Sequence, residues 1–351
     1  MPQPSDATPR RDVRLLPKAH LHLHFTGSMR PSTLHELADK HGIRLPVTLR
    51  DQQMVRLSPD ERGWFRFQRL YDAARACVRD ADDMRRIVLE AAQDDAAEGS
   101  GWLEMQVDPT SYAPFVGGIT PAVEVVLDAA REATEVTGTQ VAVIIAASRV
   151  RHPLDARTLA RLAAQYAGEG PGRVVGFGLS NDERRGWTSD FAPAFRIAQR
   201  AGLASVPHSG ELLGADHVEV TLETLAPDRV GHGIRSVEDP QVLGRIVDAG
   251  IALEVCPGSN VSLGVYPTLA DVPLRKLLAA GARVALGADD PLLFGSRLAD
   301  QYTAAREVHG LDDAALAALA ESSIAASRAP KQVQDRLRAG VQAWLHGPAG
   351  R

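Results

Sequence analysis

The chain has 351 residues, of which 44% are hydrophobic, so it can bury a sizeable core as one large domain or two average ones. Its formal net charge is −5 without a basic stripe, which argues against nucleic acid and anionic membranes as partners. No apolar stretch is long enough to span a bilayer, the N-terminus lacks the apolar core of a signal peptide, and Cys77 and Cys256 are the only cysteines, so we expect a cytoplasmic protein with buried thiols.

Short apolar runs alternate with helical patterns along most of the chain. Residues 1–15 are polar and contain proline, which indicates a disordered tail, and residues 16–345 are expected to form a single domain. The eight predicted strands are 17–25, 102–107, 140–147, 173–179, the apolar part of 203–211, 229–232, 251–256 and 283–288. The predicted helices are 31–40, 80–98, 121–137, 155–166, 193–201, 218–225, 240–249, 273–280 and a helical region from 296 to about 345 that breaks at 329–330.

Eight strands that alternate with helices predict a parallel sheet, and polar residues follow strands 1, 4, 5, 6, 7 and 8. An open doubly wound sheet would gather its site at one switch point between two strands. Only closure into a ring brings the ends of all six strands together. We therefore predict an α/β fold, the (β/α)8 TIM barrel, with inserted helices after strand 1 and extra helices at the C-terminus.

The insertion after strand 1 contains four aromatic residues within ten positions, namely Trp64, Phe65, Phe67 and Tyr71. Core packing explains such a cluster. An inserted helical lid over an active site, with aromatic rings against a flat ligand, explains it as well. The sequence leaves both interpretations open.

Three histidines and one aspartate lie at the ends of predicted strands and suit a metal ion. His22 and His24 are two residues apart on strand 1 and therefore share a face. His208 ends strand 5, and Asp289 follows strand 8. Catalytic zinc takes nitrogen and oxygen ligands and keeps one position open for water, so we predict one zinc ion per chain bound by these four residues. Three other histidines lack such context and are interpreted as surface or packing residues, namely His20, His35 and His41.

Further polar side chains beside this cluster suit acid–base chemistry. Glu211 follows His208 by one turn and is a candidate general acid, whose pKa burial would raise. His232 is better placed to orient and deprotonate a water than to bind the metal, and Asp290 can hydrogen-bond to a substrate. Taken singly, the Asp-Asp-Pro segment is more simply explained as a solvated turn, and the Gly-His-Gly segment as a tight bend. Their joint occurrence at successive strand ends favours a catalytic site.

Four motifs carry a resemblance to a known family: His22-Leu-His24, His208-Ser-Gly-Glu211, Arg229-Val-Gly-His232-Gly and Asp289-Asp290-Pro-Leu-Leu-Phe. From about Leu16 to about Leu345 the chain resembles the adenosine deaminase family of the amidohydrolase superfamily. The resemblance implies a catalytic zinc on His22, His24, His208 and Asp289, and hydrolytic deamination of an adenine nucleoside at C6, for instance adenosine to inosine and ammonia. It also implies that Glu211 protonates N1 of the purine, that His232 acts on the attacking water and that Asp290 bonds to N7.

Three positions depart from the family pattern. Thr26 stands where the family commonly has Asp, which reaches the sugar 5′-hydroxyl, and where relatives acting on free adenine tend to have Glu. Asn181 replaces a glycine whose backbone N–H reaches N3, and since Asn tolerates the left-handed region the contact can survive. Gln106 occupies a position that is often Arg. By the same resemblance the substrate-binding residues are Asp290, Asn181, His24 and Thr26.

The absence of a carboxylate at Thr26 supports a rival substrate, 6-aminodeoxyfutalosine, an adenine nucleoside whose 5′ carbon bears a keto-benzoate arm. Such an arm would repel a carboxylate. Arg149 and Arg151, just past strand 3, can in principle meet the benzoate, although a solvated loop is the simpler interpretation. Free adenine and another amidohydrolase reaction are more remote alternatives.

Proteins of other kinds fit the sequence less well. A two-metal hydrolase of the superfamily needs a Lys or Glu at the end of strand 4, which has neither within it, and Asp182 and Glu183 come later. A barrel used only for binding or signalling would be expected to lose a ligand or the acid, and none is lost here. Deaminases with Cys-x-x-Cys zinc ligands are excluded by the two distant cysteines. We expect a small purine nucleoside as the partner and leave the oligomeric state open.

Overall fold

Eight parallel strands form the centre of the molecule. The computed structural model describes residues 10–347, and in that range the strands pair in sequence order, each with the next. They are β1 (Lys18–His24), β2 (Ser100–Val107), β3 (Gln140–Ser148), β4 (Val174–Ser180), β5 (Ala204–Ser209), β6 (Arg229–His232), β7 (Ala252–Val255) and β8 (Arg283–Leu286).

Backbone contacts between β1 and β8 bring the two ends of this sheet together. A parallel bridge joins Leu23 to Asp289. The Asp289 N–H donates to the His22 carbonyl at 3.0 Å, and the His24 N–H donates to the Asp289 carbonyl at 3.0 Å. The fold is thus a nearly closed (β/α)8 TIM barrel, and the prediction of a ring rather than an open sheet is confirmed. The bonds of the closing seam are made by three of the residues that the sequence assigned to the metal.

Sixteen α-helices lie in residues 10–347. They are α1 (Pro31–Lys40), α2 (Val47–Arg50), α3 (Glu61–Arg75), α4 (Ala81–Ala97), α5 (Ala113–Val116), α6 (Ile119–Thr137), α7 (Pro153–Gln165), α8 (Ala192–Arg200), α9 (Ala215–Leu225), α10 (Pro240–Asp248), α11 (Pro257–Ser262), α12 (Leu274–Ala279), α13 (Pro291–Phe294), α14 (Leu298–Glu307), α15 (Asp313–Ala326) and α16 (Lys331–His346). Helices α1 to α4 form the predicted insertion between β1 and β2, and α14 to α16 are the predicted C-terminal additions.

The strands are buried on both faces, which is why they appear in the sequence as continuous apolar runs. On β3, the side chains of Val141, Val143 and Ile145 belong to the layer between the sheet and the helices. The alternate side chain Ile144 packs inside the barrel, and Ala146, on the same face, lines the cavity at its mouth. Alternate side chains of a strand therefore lie on the same face, and along β3 that face runs from the packed interior of the barrel to the end where the polar residues lie.

The N-terminal segment differs from its prediction. Residues 10–15 were expected in a disordered tail, but Val13–Leu15 form a 3-10 turn and Val13 is buried. The C-terminal helices hold this segment: Arg306 donates to the Arg11 carbonyl at 2.8 Å, and the Trp344 indole donates to the Asp12 carbonyl at 2.9 Å. The rest of the predicted tail, residues 1–9, lies outside the described residues.

Two further expectations concern the sequence composition. Cys77 and Cys256 are both free and buried, as predicted. None of the helices within residues 10–347 combines the length and the apolar character that crossing a membrane requires.

Candidate active site

The four predicted metal ligands converge at the C-terminal end of the barrel. The Nε2 atoms of His24 and His208 are 3.2 Å apart. Asp289 Oδ1 lies 3.2 Å from His24 Nε2 and 3.6 Å from His22 Nε2. His22 and His24 lie on β1, His208 lies on β5, and Asp289 follows β8 at the seam where the barrel closes. The closed barrel therefore brings together residues that are far apart in the sequence.

The chemistry of this donor set fits zinc. Donors about 2.0–2.1 Å from a tetrahedral zinc lie roughly 3.3–3.4 Å from one another, close to the separations found here. His22 Nε2 is buried and has no hydrogen-bond partner among residues 10–347. Burial opposes protonation of His22, but Asp289 and Glu254 outweigh it and raise its pKa to about 10. The cluster therefore favours a positive charge at its centre, which a divalent cation can supply.

A buried ion network fixes the orientation of His22. Its Nδ1 lies 2.8 Å from Glu254 Oε2, and the other oxygen of Glu254 accepts from Arg229 Nε at 2.6 Å. Arg229 also pairs with Glu104, and all three charged residues are buried. Donation of Nδ1–H to a carboxylate leaves Nε2 free to bind a metal. Sequence reasoning missed this network, although charged residues inside apolar strand patterns were a usable signal.

Glu211, Asp290 and His232 surround the donor cluster, and burial shifts the pKa of each. Burial, Asp289 and Glu183 raise the pKa of Glu211 well above its usual value, the direction that suits a general acid. Burial and Asp289 likewise raise the pKa of Asp290. Burial lowers the pKa of His232 to about 3, which leaves it a neutral base. His232 Nε2 lies 3.6 Å from Glu211 Oε1 and 3.9 Å from Asp289 Oδ2.

Backbone strain is concentrated at this site. Asn181, His232 and Asp289 have φ values of 80°, 61° and 62°, in the left-handed region that non-glycine residues rarely adopt. Such conformations persist where the surrounding structure imposes them and are common at active sites. A glycine serves the site in another way, since a Cβ on Gly27 would clash with the Asp290 carboxylate. The Thr-Gly step after β1 therefore makes room for Asp290.

The cluster opens into a cavity of about 370 Å³. Its wall includes nearly all the predicted site residues, namely His24, Asn181, His208, Glu211, His232, Asp289 and Asp290. His22 lies beneath the cavity floor. Thr26 does not line the cavity, because its buried hydroxyl pairs with the Tyr112 hydroxyl. The prediction of Thr26 as a direct substrate contact therefore has no geometric support, whereas Tyr112, which the sequence did not indicate, lines the wall.

Gln106 also lies at the cavity and is buried. Its Nε2 is 3.4 Å from His22 Nδ1, a nitrogen already committed to Glu254, and its Oε1 has no partner among the described residues. The amide therefore faces the cavity with hydrogen-bonding capacity to spare.

The two arginines proposed for a benzoate arm have different positions. Arg149 is buried and donates to the His208 carbonyl at 2.5 Å and to Thr188 Oγ1 at 2.8 Å. It is therefore part of the support beneath β5 and not available to a substrate, and its burial also contradicts the simpler interpretation as a residue of a solvated loop. Arg151 is exposed and lines the cavity.

Helix α3 satisfies both interpretations of the aromatic cluster. Phe67 is buried and stacks on Phe294 with ring centroids 5.5 Å apart. Trp64, Phe65 and Tyr71 line the cavity together with Phe67. One helix thus packs on the barrel and covers the site.

The histidines without an assigned role make structural contacts. His20 is buried in the seam, where its Nδ1 lies 2.9 Å from Asp95 and its Nε2 accepts from the Ala288 N–H at 3.1 Å. His35 Nε2 lies 3.3 Å from the Leu49 carbonyl. His41 Nε2 lies 2.7 Å from Asp83.

Comparison with known proteins agrees with this geometry. A sequence model of the adenosine deaminase family matches residues 17–344. A protein of Streptomyces virginiae named "putative adenosine/adenine deaminase" is 60% identical over 338 residues, 96% of this chain and 99% of its own. An adenine deaminase of Rhizobium leguminosarum bv. trifolii is 33% identical over 92% of this chain and 98% of its own. The crystal structure of adenine deaminase from Arthrobacter aurescens, 30% identical, superposes with a TM-score of 0.85 over 94% of this chain and 99% of that one. The chain belongs to the adenosine deaminase family of amidohydrolase-type enzymes.

Proposed function

We propose that this enzyme hydrolytically deaminates adenosine at C6, with one zinc ion per chain bound by His22, His24, His208 and Asp289. The observation that carries the proposal is the joint placement of the four candidate metal donors, Glu211 and Asp290 at one end of the barrel, where burial raises the pKa of both Glu211 and Asp290. Hydrolysis of an amidine C–N bond needs an activated water, an acid for the ring nitrogen and a proton for the leaving ammonia. Each of these requirements has a residue in the cavity wall.

The residues divide the proton transfers among them. Asp290 donates a hydrogen bond to N7 and fixes the ring. Glu211 gives its proton to N1 as water adds at C6, and neutral His232 takes one proton from that water. When bound, zinc would act as a Lewis acid that lowers the pKa of water. His232 then returns its proton to the amino group, which leaves as ammonia, and the second water proton restores Glu211. The product keeps the N1 proton and has oxygen at C6.

The extent of the cavity wall supports a nucleoside rather than a free base as the substrate. Beyond the donor cluster, the wall continues past Gln106 and Tyr112 to α3, where Gln68 and Asp72 offer polar groups. A purine on Asp290 and Glu211 occupies only the inner part, and the outer part can take a ribose on N9. His24 and Asn181 also line the wall, in keeping with the proposed substrate contacts.

Free adenine is the second candidate, because the Rhizobium and Arthrobacter relatives are named adenine deaminases. For the benzoate of the 5′-modified nucleoside 6-aminodeoxyfutalosine, Arg151 is the one of the two suggested arginines that lines the cavity, and Arg75 and Arg185 line it as well. Acidic residues share the wall with these arginines, including Glu61, Asp108 and Asp182. This mixed charge favours a neutral sugar over an anionic arm.

Ammonia release from a panel of substrates tests the proposal: adenosine, deoxyadenosine, adenine, methylthioadenosine and 6-aminodeoxyfutalosine. We expect the highest kcat/KM for adenosine, by at least about tenfold over adenine, because the outer contacts are lost with the sugar. Glu211→Gln is the control that assigns the activity to this site, since it should retain zinc and lower kcat by roughly 10²–10⁴-fold. A higher kcat/KM for adenine or for 6-aminodeoxyfutalosine would replace adenosine as the assigned substrate.

A further inference from the structure

Glu183 is a buried carboxylate that reaches from the end of β4 to the turn that carries Glu211. Its Oε1 accepts from the Glu211 N–H at 3.2 Å. Its Oε2 accepts from the N–H groups of Leu212 and Leu213 at 2.8 and 2.7 Å. Glu183 is 2% exposed and Glu211 is 3% exposed, so both residues are shielded from solvent. One side chain thus satisfies three successive backbone donors of an irregular segment.

The same turn is held from its other side by Arg235. The Arg235 N–H donates to the Gly210 carbonyl at 3.0 Å, and its guanidinium donates to the Leu212 carbonyl at 2.5 Å. The residues between β5 and α9 form no regular helix or strand, so their placement depends on these bonds. The N–H bonds to Glu183 are those nearest the Glu211 side chain. Loss of Glu183 would leave three N–H groups without their acceptor and free the turn to move.

The strained backbone at Asn181 places Glu183 for this task. Asn181 lies directly after β4 with φ 80°, and the adjacent Asp182 side chain binds Arg184 instead of the turn. Glu183 therefore points across to β5, where the substrate-facing acid lies. The contact joins the ends of two neighbouring strands at the cavity wall.

We propose that Glu183 is a positioning residue that holds the carboxyl group of Glu211 at the ring nitrogen of the substrate. The inference rests on the proposed role of Glu211 as the acid. It also argues against a two-metal hydrolase, because the Glu183 carboxylate, which follows β4, already accepts hydrogen bonds from backbone N–H groups. Displacement of a reacting group by about 1 Å can lower a rate by 10²-fold, so a loosened turn is expected to affect kcat more than substrate binding.

The test is a double-mutant cycle of Glu183→Ala and Glu211→Gln on the zinc-loaded enzyme. Glu183→Ala should lower kcat for adenosine by about 10- to 100-fold, with KM changed less than about threefold and zinc content unchanged. Glu183→Gln, which keeps one acceptor oxygen, should recover part of that loss. In the Glu211→Gln background, Glu183→Ala should change kcat by less than about twofold, because two residues that act through one group are not additive.

Glu90→Gln is the matched control, because Glu90 is a buried carboxylate on α4 that accepts from Thr33 and Arg86 and does not line the cavity. It should leave kcat unchanged. Full kcat in Glu183→Ala, or the same loss of kcat in both backgrounds, would overturn the positioning role while leaving the proposed function intact. Full activity in Glu211→Gln would remove the proposed acid and, with it, this inference.

Discussion

At the scale of single residues, the neighbours Asp289 and Asp290 show how contacts divide two roles between identical side chains. Both are buried. For Asp289, burial opposes ionisation, but the imidazoles of His22 and His24, 3.6 and 3.2 Å from its Oδ1, outweigh it and hold its pKa well below the usual value. Asp290 has no such partner, and burial with the adjacent Asp289 raises its pKa. The opposite directions of these pKa shifts support the proposed roles of Asp289 as an anionic metal ligand and of Asp290 as a hydrogen-bond donor.

Paired alanine substitutions test this division. Asp289→Ala removes the one anionic donor, so we expect zinc content to fall below about a tenth of an ion per chain after dialysis. Asp290→Ala should retain about one zinc and lower kcat/KM for adenosine by roughly 10- to 100-fold, the usual effect of losing one strong hydrogen bond. Elemental analysis and steady-state kinetics on the same samples separate the two effects. Equal loss of zinc in both variants would contradict the assignment.

The sequence was sufficient for the donors but not for the residues that hold them. His22 and His24 were identified by their spacing on one strand, and Asp289 by its place after another. Glu183 and Glu254 were not identified, because each acts on a residue from a different strand: Glu183 on the turn after β5, and Glu254 on His22 of β1. Which strand ends are neighbours is a property of the closed barrel, and one sequence does not give the side-chain directions there.

At the scale of elements, helix α3 both packs against the core and covers the cavity. Its Phe67 stacks on Phe294, the last residue of α13. Helix α13 itself begins directly after Asp290. The other aromatic residues of α3 reach the cavity wall. The sequence predicted the two uses as alternatives because periodicity does not show which neighbours a helix meets. Phe67 and Ala74 are the buried core residues of α3, so one helix both packs on the core and lines the cavity.

Phe67→Ala tests that arrangement. Truncation of a buried Phe removes the stack on Phe294, so α3 should loosen, and we expect KM for adenosine to rise by about 5- to 20-fold, or about 1–2 kcal/mol of lost docking. The kcat should change by less than about threefold, since the acid and the metal donors lie elsewhere. Hydrogen exchange should accelerate in Glu61–Arg75. Val136→Ala, at a 69% exposed position on α6, is the control. A fall in thermal stability without a change in KM would make α3 only part of the core.

At the scale of the whole molecule, the barrel separates a functional end from a stabilising end. The alternation of strands and helices predicted the ring, and the predicted strand limits differ from those observed mostly by one or two residues. The short helices α11 and α13 were missed, since their six and four residues are too few for a helical periodicity to appear in the sequence. The opposite end of the barrel, where the strands begin, contains buried charges that no catalytic role requires. Lys18, at the start of β1, is one of them.

Lys18 links protonation to the stability of the whole fold. Its ammonium group is buried, donates to the Val13 and Glu98 carbonyls at 2.9 and 2.5 Å, and lies 5.1 Å from the Tyr302 ring centre. Burial lowers its pKa from 10.5 to about 7, despite opposing contributions from Glu98, Asp95 and Asp12. Between these two values the unfolded chain holds a proton that the folded protein has released. The free energy of unfolding should therefore rise with pH across this window, and below pH 7 the contribution should be constant.

Lys18→Met removes this titration while filling similar space. We expect the free energy of unfolding of the wild-type protein, relative to the variant, to increase by about 2–3 kcal/mol between pH 7 and pH 9, since one pKa unit corresponds to about 1.36 kcal/mol. Denaturant titrations at several pH values from 6 to about 9.5 measure the difference, with Lys331→Met at an 80% exposed side chain as the control that should show none. The variant's two unpaired carbonyls shift its curve by a constant and leave the slope unaffected. Parallel curves for wild type and Lys18→Met would mean that Lys18 keeps its proton in the folded barrel.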